Sequence, residues 1–456
     1  MPEFTAVRPG GRRNLWLRPP ALVTLGFLLS ILIGTVLLGS PKAVVAGRAP
    51  LSPNEALFSA TSATCVTGLT VVGTAADLSR YGQLIVLILL QIGGIGILSL
   101  SILVYTGLTA RTGTTSGELL EGRLGGGALR GGPRTTFLLV VGGTFSVELL
   151  GALALRPALR GADATWWHAV FLSVSSFCNA GFDNLDAGLA PYAGSWAVGL
   201  PLLVLWLLGG LGFLIPVAVI ARLRAGRSRT LDLNAAMILK GTALLMTAGA
   251  LVFFACEAFG GLLSGRPLHE QLLLALFQGN TTRTAGFSML DLASAQRVTL
   301  LALIPFMLIG GAPGSTAGGI KITAAWIFVA MLWNRMQGGQ RLIIARRTIP
   351  LRFIRRSILI TVLMIGMFGL LTLLLALLDR RHAFSLEALA FESASALGTV
   401  GLSTGITPEL APAAQGLLVA AMLFGRLGPL TAVYLLVPEI THSERVLYPR
   451  ADVYVG

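Results

Sequence analysis

The chain has 456 residues, 54% of them hydrophobic and only 12% charged, with a mean hydropathy of +0.79. Several apolar runs of about 18 residues or more exclude a soluble globule of this size and make the chain an integral protein of the lipid bilayer. A net charge of +14 fits either nucleic acid or the Lys/Arg excess of cytoplasmic loops; its distribution, given below, decides for the membrane and against nucleic acid.

Arg8, Arg12, Arg13 and Arg18 precede an apolar run over 21–38, which predicts a first spanning helix. The run is too long for a signal-peptide core, and no small-residue cleavage site follows it convincingly. Ser52, Pro53 and Glu55 then supply an N-cap, a proline at the first helical position and a capping-box acid. They start a short helix of about 11 residues, which cannot cross a hydrocarbon core of roughly 30 Å and is therefore predicted to be re-entrant. The stretch Thr61-Ser-Ala-Thr-Cys-Val-Thr-Gly-Leu69 ends it, and a full-length helix over 82–107 returns the chain to the starting side.

The same order recurs three times. Long, short and long helices are predicted over 135–155, 164–176 and 197–221, over 237–263, 267–278 and 299–333, and over 358–378, 386–396 and 414–437. Phe58 stands ten residues before Gly68, Phe171 ten before Gly181, Phe277 nine before Gly286 and Phe391 ten before Gly401. The four glycines are 113, 105 and 115 residues apart. Such periodicity predicts four repeats, over residues 1–107, 108–221, 222–334 and 335–437, with a C-terminal tail at 438–456. The expected fold is an all-α integral membrane protein: eight spanning helices and four re-entrant pore helices around one central pore.

Charge tests the topology independently. With both termini in the cytoplasm, 22 Lys and Arg fall inside, 10 fall on outer connections, and Lys321 and Arg426 lie at membrane depth. The bias has the sign expected for cytoplasmic loops. Asp77, Asp183, Asp186, Asp291 and Glu409 follow the glycines on the outer side, where an acidic vestibule would concentrate cations.

The small-residue loops suit a cation that must shed water. Backbone carbonyls around an axis can replace a hydration shell without a buried counter-charge, glycine permits the backbone geometry this needs, and the C-terminal ends of the short helices carry partial negative charge.

These loops resemble those of the Trk/Ktr/HKT superfamily of potassium transporters: Thr67-Gly-Leu, Asn179-Ala-Gly-Phe, Thr282-Arg-Thr-Ala-Gly-Phe and Thr399-Val-Gly-Leu. The resemblance covers nearly the whole chain. Eight spanning helices, with nothing ahead of the first repeat, look most like the membrane subunit of bacterial Ktr systems. It implies a selectivity filter made by the carbonyls near Val66, Thr67 and Gly68, Asn179, Ala180 and Gly181, Thr284, Ala285 and Gly286, and Thr399, Val400 and Gly401. Family members with Ser at the first glycine tend toward sodium, so Gly68 points to potassium. Implied with this are K+ as the transported ion, room for Na+ as an activator, no organic cofactor on this chain, a homodimer, a cytosolic nucleotide-binding regulatory ring, and a bacterial cell membrane location. Sodium-coupled or less selective monovalent cation transport is the alternative.

Gly310-Gly-Ala-Pro-Gly-Ser-Thr-Ala-Gly-Gly319 cannot sustain a helix, since each glycine costs about 1 kcal/mol and proline about 3. It lacks the Gly-Lys-Ser/Thr ending of a phosphate loop. A close helix-packing surface is one reading; the resemblance implies the other, an intramembrane gate formed by Gly310, Gly311, Pro313, Gly314, Ser315, Thr316, Gly318 and Gly319 with Lys321 beside it. Arg426, inside the last helix, must face protein or water. Either it holds the 310–319 segment or it snorkels to the inner interface.

The remaining conspicuous residues are weaker signals. His168, His269 and His382 are isolated on outer connections and do not make a metal cluster. Cys65, Cys178 and Cys256 have no paired spacing and are expected to be free. Arg283 either lines the outer mouth or packs its own loop. The seven arginines from Arg335 to Arg356 either dock a cytosolic partner or anionic lipid, or simply set topology. Four same-direction repeats argue against the inverted architecture of secondary transporters, and no nucleophile–base pair at membrane depth supports an intramembrane enzyme.

Overall fold

The structure is a computed structural model that describes residues 19–111, 132–161, 165–212, 215–216, 219, 233–379 and 383–428. Its helices follow one order. α1 (Pro19–Leu38) and α3 (Arg80–Arg111) flank the short α2 (Pro53–Thr64), and α4 (Gly132–Leu155) and α6 (Trp196–Leu211) flank α5 (Trp166–Phe177). Then come α7 (Leu233–Glu257), the short α8 (Leu268–Thr281), α9 (Arg297–Leu308) and α10 (Ile322–Met336), and finally α11 (Leu351–Leu378), the short α12 (Leu386–Gly398) and α13 (Pro412–Leu427).

The short helices start where local chemistry tells them to. The Ser52 hydroxyl accepts from the Glu55 N–H, and the Glu55 carboxylate accepts from the Ser52 N–H at 2.7 Å, which closes a capping box on α2. Thr165 and Ser385 cap α5 and α12 in the same way, each hydroxyl accepting from the N–H three residues on. Twelve residues rise about 18 Å, so α2 and α5, both of that length, are too short to cross a hydrocarbon layer of about 30 Å.

Several spans differ from the sequence expectation. The helix predicted over 197–221 stops at Gly212, whose φ of +70° ends α6. That predicted over 299–333 is two helices, α9 and α10, separated by residues 309–321. α7 ends at Glu257 instead of running to 263. α13 ends before Gly428 at φ +84°, and the rest of the predicted 414–437 helix and the 438–456 tail lie outside the described residues, as do 112–131 and His382. The all-helical expectation also needs one amendment: in the basic segment, β1 (Ile343–Ile344) pairs antiparallel with β2 (Arg347–Thr348).

Among the described residues, three helical segments are long and apolar enough to cross a membrane unaided: Leu138–Leu155 of α4, α7 and α11. The outward faces of these helices and of α1 are bare of protein. Leu32, Val36, Leu149, Leu150, Leu251, Val362 and Leu377 are exposed, whereas Ser59, Thr61, Ser62, Thr64, Ser173, Ser175 and Ser176 are buried. Apolar outside and hydroxyl-rich inside is the arrangement lipid demands, because it leaves every polar group to be satisfied by protein or by enclosed water.

Helices in this setting close on small residues. α7 and α8 touch through glycine, and a Cβ on Gly249 would stand 2.6 Å from the Gly279 carbonyl oxygen. Gly249→Leu is expected to destabilise the protein by about 1–3 kcal/mol through overpacking against rigid backbone. Gly142→Leu, where a Cβ meets nothing within 4 Å, should leave the thermal midpoint in detergent unchanged, and equal midpoints for the two variants would contradict this packing.

Candidate functional site

Each short helix runs into a loop with one signature. Val66, Asn179, Thr284 and Thr399 have φ of 55°, 59°, 64° and 51°, and the glycine two residues later has φ of 98°, 68°, 79° and 95°. A left-handed residue other than glycine costs about 1–3 kcal/mol and persists only where surrounding bonds over-determine it. Those bonds are present. The N–H groups of Thr67, Ala180 and Val400 donate back to the carbonyls of Ser62, Ser175 and Ser395 at 2.8 Å. The N–H groups of Gly68 and Gly401 donate to the hydroxyls of Ser62 and Ser395. In the third loop, both Ala285 and Gly286 donate to the Thr281 carbonyl. This loop is one residue shorter, which is why Phe277 precedes Gly286 by nine residues.

The four loops converge and close into a ring. A Cβ on Gly181 would lie 2.7 Å from the Gly286 Cα, one on Gly286 3.3 Å from the Gly401 Cα, one on Gly401 3.0 Å from the Gly68 Cα, and one on Gly68 3.2 Å from the Gly181 Cα. In each case a backbone carbonyl of the adjacent loop crowds the same space: Ala180 against Gly68, Ala285 against Gly181, Val400 against Gly286 and Thr67 against Gly401. A Cβ at any of the four would force the neighbouring backbone to shift. The residues after the glycines, Leu69, Phe182, Phe287 and Leu402, are buried outward, as are Phe58, Phe171, Phe277 and Phe391. The hydroxyls of Thr64, Thr67, Ser175 and Thr399 are buried without a protein partner. Backbone oxygens and free hydroxyls, with no ionised side chain in the ring itself, make a donor set for a weakly held cation.

The 310–319 segment packs against two of these loops. The Gly310 N–H donates to the Ile320 carbonyl and the Ile320 N–H to the Leu308 carbonyl, so the segment is pinched at its neck. Ala312 and Thr316 donate from their N–H groups to the carbonyls of Gly210 and Gly209, which fastens the segment to the end of α6. The Thr316 hydroxyl lies 3.0 Å from the Asn179 side chain, whose amide nitrogen faces the Trp206 carbonyl at 3.0 Å as well. Gly318 sits against Thr399, and the Gly314 carbonyl against Gly212. The Ser315 hydroxyl donates to the Ala312 carbonyl at 2.7 Å, Lys321 Nζ donates to the Ala317 carbonyl at 2.5 Å, and Pro313 is exposed. Gly311 is buried against Gly210, and Gly319 has φ of +65°.

Arg426 is 4% exposed and ties this segment to the rest of the bundle. One guanidinium nitrogen donates to the Thr316 carbonyl and the other to the Gly93 carbonyl at 2.7 Å. Sequence reasoning overlooked Gly93, Gly209 and Gly210, although a Gly-Gly pair inside an apolar helix is a visible signal of close backbone approach.

Other predicted residues lie apart. Asp77 is occupied by an ion pair with Arg48 and by the Gly73 N–H. Asp291 caps a short 3-10 turn. Arg283 is buried beside Thr242 on α7, 3.5 Å from its hydroxyl, and not in an open outer mouth. All three cysteines are free, and no group of three His, Cys, Asp or Glu among the described residues could hold a metal ion.

Known proteins place this architecture. The chain is 33% identical over 450 residues to the Ktr system potassium uptake protein B of Bacillus subtilis, covering 97% of this chain and 98% of that one. It is 30% identical over 447 residues to the potassium/sodium uptake protein NtpJ of Enterococcus hirae, covering 96% and 98%. The crystal structure of the potassium transporter TrkH from Vibrio parahaemolyticus superposes with a TM-score of 0.68 at 21% identity, over 91% of this chain and 85% of that one, and so shares its fold. The profile of the TrkH cation transport proteins matches residues 31–443, and the chain accordingly belongs to that family.

Proposed function

We infer that this chain is the ion-translocating membrane subunit of a Ktr-type potassium uptake system, working as a selective pore and not as an enzyme. The observation that carries this reading is the closed ring of Gly68, Gly181, Gly286 and Gly401, in which uncharged backbone crowds a common centre. Near-full-length similarity to potassium uptake proteins supports it. Val66–Gly68, Asn179–Gly181, Thr284–Gly286 and Thr399–Gly401 act as the four walls of a filter, one from each repeat. A potassium ion exchanges hydration water for carbonyl oxygens there, and α2, α5, α8 and α12 aim their negative C-terminal ends at it. No chemical step is needed, because each cation entering an inside-negative cell gains about 2.3 kcal/mol per 100 mV.

The 310–319 segment is the gate. It packs beneath the filter through Asn179 and Thr399, its glycines let it change shape without side-chain clashes, and Arg426 keeps it shut while placing a positive charge on the cation path. We propose further that the chain sits in a bacterial cell membrane with both termini cytoplasmic, works as a homodimer, and docks a cytosolic ring whose subunits, not this chain, bind ATP or ADP. The second reading, sodium-coupled or less selective transport with Na+ as co-ion or activator, draws on the NtpJ relative, whose name carries both cations.

Flux of K+ and Na+ into liposomes holding the purified chain tests the filter. Gly68→Ser adds a Cβ where the Ala180 carbonyl stands and should lower the K+/Na+ preference by about tenfold, or about 1.4 kcal/mol. Unchanged preference would remove the filter assignment. For the gate, Arg426→Gln deletes charge-assisted hydrogen bonds that contribute roughly 1.5–3 kcal/mol each, and K+ flux without any cytosolic partner should rise about tenfold or more. Parental flux and parental response to the partner would leave Arg426 a packing residue.

A further inference from the structure

The fourth glycine loop meets the first with no chain connection between them. Consecutive loops are joined by the polypeptide, whereas Gly401 against Gly68 is held by tertiary contact alone. The short helices differ at one position that bears on this seam, the residue after the repeated Phe: Ser59, Leu172, Gln278 and Glu392. Gln278 braces the segment leaving the third glycine, donating to the Ser288 hydroxyl at 2.7 Å and accepting from the Met289 N–H at 3.4 Å.

Glu392 does more. It is fully buried and accepts four hydrogen bonds from the segment leaving the fourth glycine. One oxygen takes the Ser403 hydroxyl at 2.6 Å, the Thr404 N–H at 2.9 Å and the Thr404 hydroxyl at 3.4 Å; the other takes the Thr407 hydroxyl at 2.7 Å. Gln415 on α13 continues the relay, donating to the Thr407 carbonyl at 3.2 Å and accepting from Asn54 at 2.5 Å at the start of α2. A continuous polar chain thus crosses from the fourth loop's exit to the first short helix. Burying a carboxyl without a basic partner is costly, and no ion pair to Glu392 exists among the described residues. Simple filling of the space would be met by an apolar side chain, as Leu172 does in the second repeat. What the carboxylate adds is acceptor capacity in fixed directions.

We propose that Glu392 is a positioning residue for ion selection: through Thr407, Gln415 and Asn54 it clasps the seam between the first and fourth loops and so sets the spacing of their carbonyls. The proposal rests on the reading of the glycine loops as a selectivity filter.

The test is K+ and Na+ flux through the purified full chain in liposomes, with Gly68→Ser run in parallel. Glu392→Leu is expected to lose K+/Na+ preference by about tenfold while still conducting. Glu392→Gln keeps the Ser403 and Thr404 bonds, and its amide can donate to a rotated Thr407 hydroxyl, so its preference should stay within about twofold of the parent. Asn54→Ala, which cuts the far end of the relay, should fall between them. A conducting Glu392→Leu with parental preference overturns the proposal. If that variant fails to fold, Thr407→Val is read in its place, and parental preference there overturns it equally. A shifted Gly68→Ser with an unshifted Glu392→Leu rejects only the clasp, whereas an unshifted Gly68→Ser rejects the filter on which the clasp rests.

Discussion

The close approach of four glycine backbones governs the rest of this structure. Gly68, Gly181, Gly286 and Gly401 face one another so closely that a Cβ at any of them would displace neighbouring backbone, so the chain must bring four separate turns to one place at backbone contact. Each turn is reached through a left-handed residue, Val66, Asn179, Thr284 or Thr399, and that strain is tolerated because the preceding short helix accepts the loop's N–H groups. Hydroxyl-bearing residues are therefore needed on the inward ends of the short helices. Around this polar centre the buried core is still apolar, and so is the exposed outer surface of the helices.

The ring is chemically four-fold but mechanically unequal. The 310–319 segment is bonded to the end of α6 and lies against the second and fourth loops through Thr316 and Gly318. Arg426 joins it to α3 through Gly93. Displacing the segment would break its bonds to Gly209, Gly210 and Arg426 together. The third and fourth loops are braced by Gln278 and Glu392, while the second relies on apolar packing around Leu172.

Much of this was legible in the chain because it rests on local rules. Glycine spacing, the Ser52–Glu55 capping box and the apolar runs each follow from short-range propensity or from the bilayer's thickness, and these located the short helices to within three residues, the largest miss being the end of α8 at Thr281. The boundaries that failed have tertiary causes. α6 ends at Gly212 because the Gly314 carbonyl lies where a Cβ would stand, and nothing nearby in sequence announces that partner. The acidic residues beyond the glycines counted equally as charges, yet Asp77 is taken by Arg48 and Asp291 by a turn. Glu392 drew no notice in the sequence, although an acid inside an apolar short helix was a signal in itself.

By itself, then, the sequence determined the solvent, the family and the spacing of the four glycines, since hydropathy and backbone permissiveness are properties of residues and their near neighbours. Tertiary structure alone decided which carbonyl each glycine faces, that Arg426 reaches Thr316 and Gly93, and that Glu392 reaches Thr407 and through it Gln415 and Asn54. Partners such as Asn54 and Gln415 stand 361 residues apart, and no local propensity specifies a contact over that separation. It arises only when the four turns close on one another.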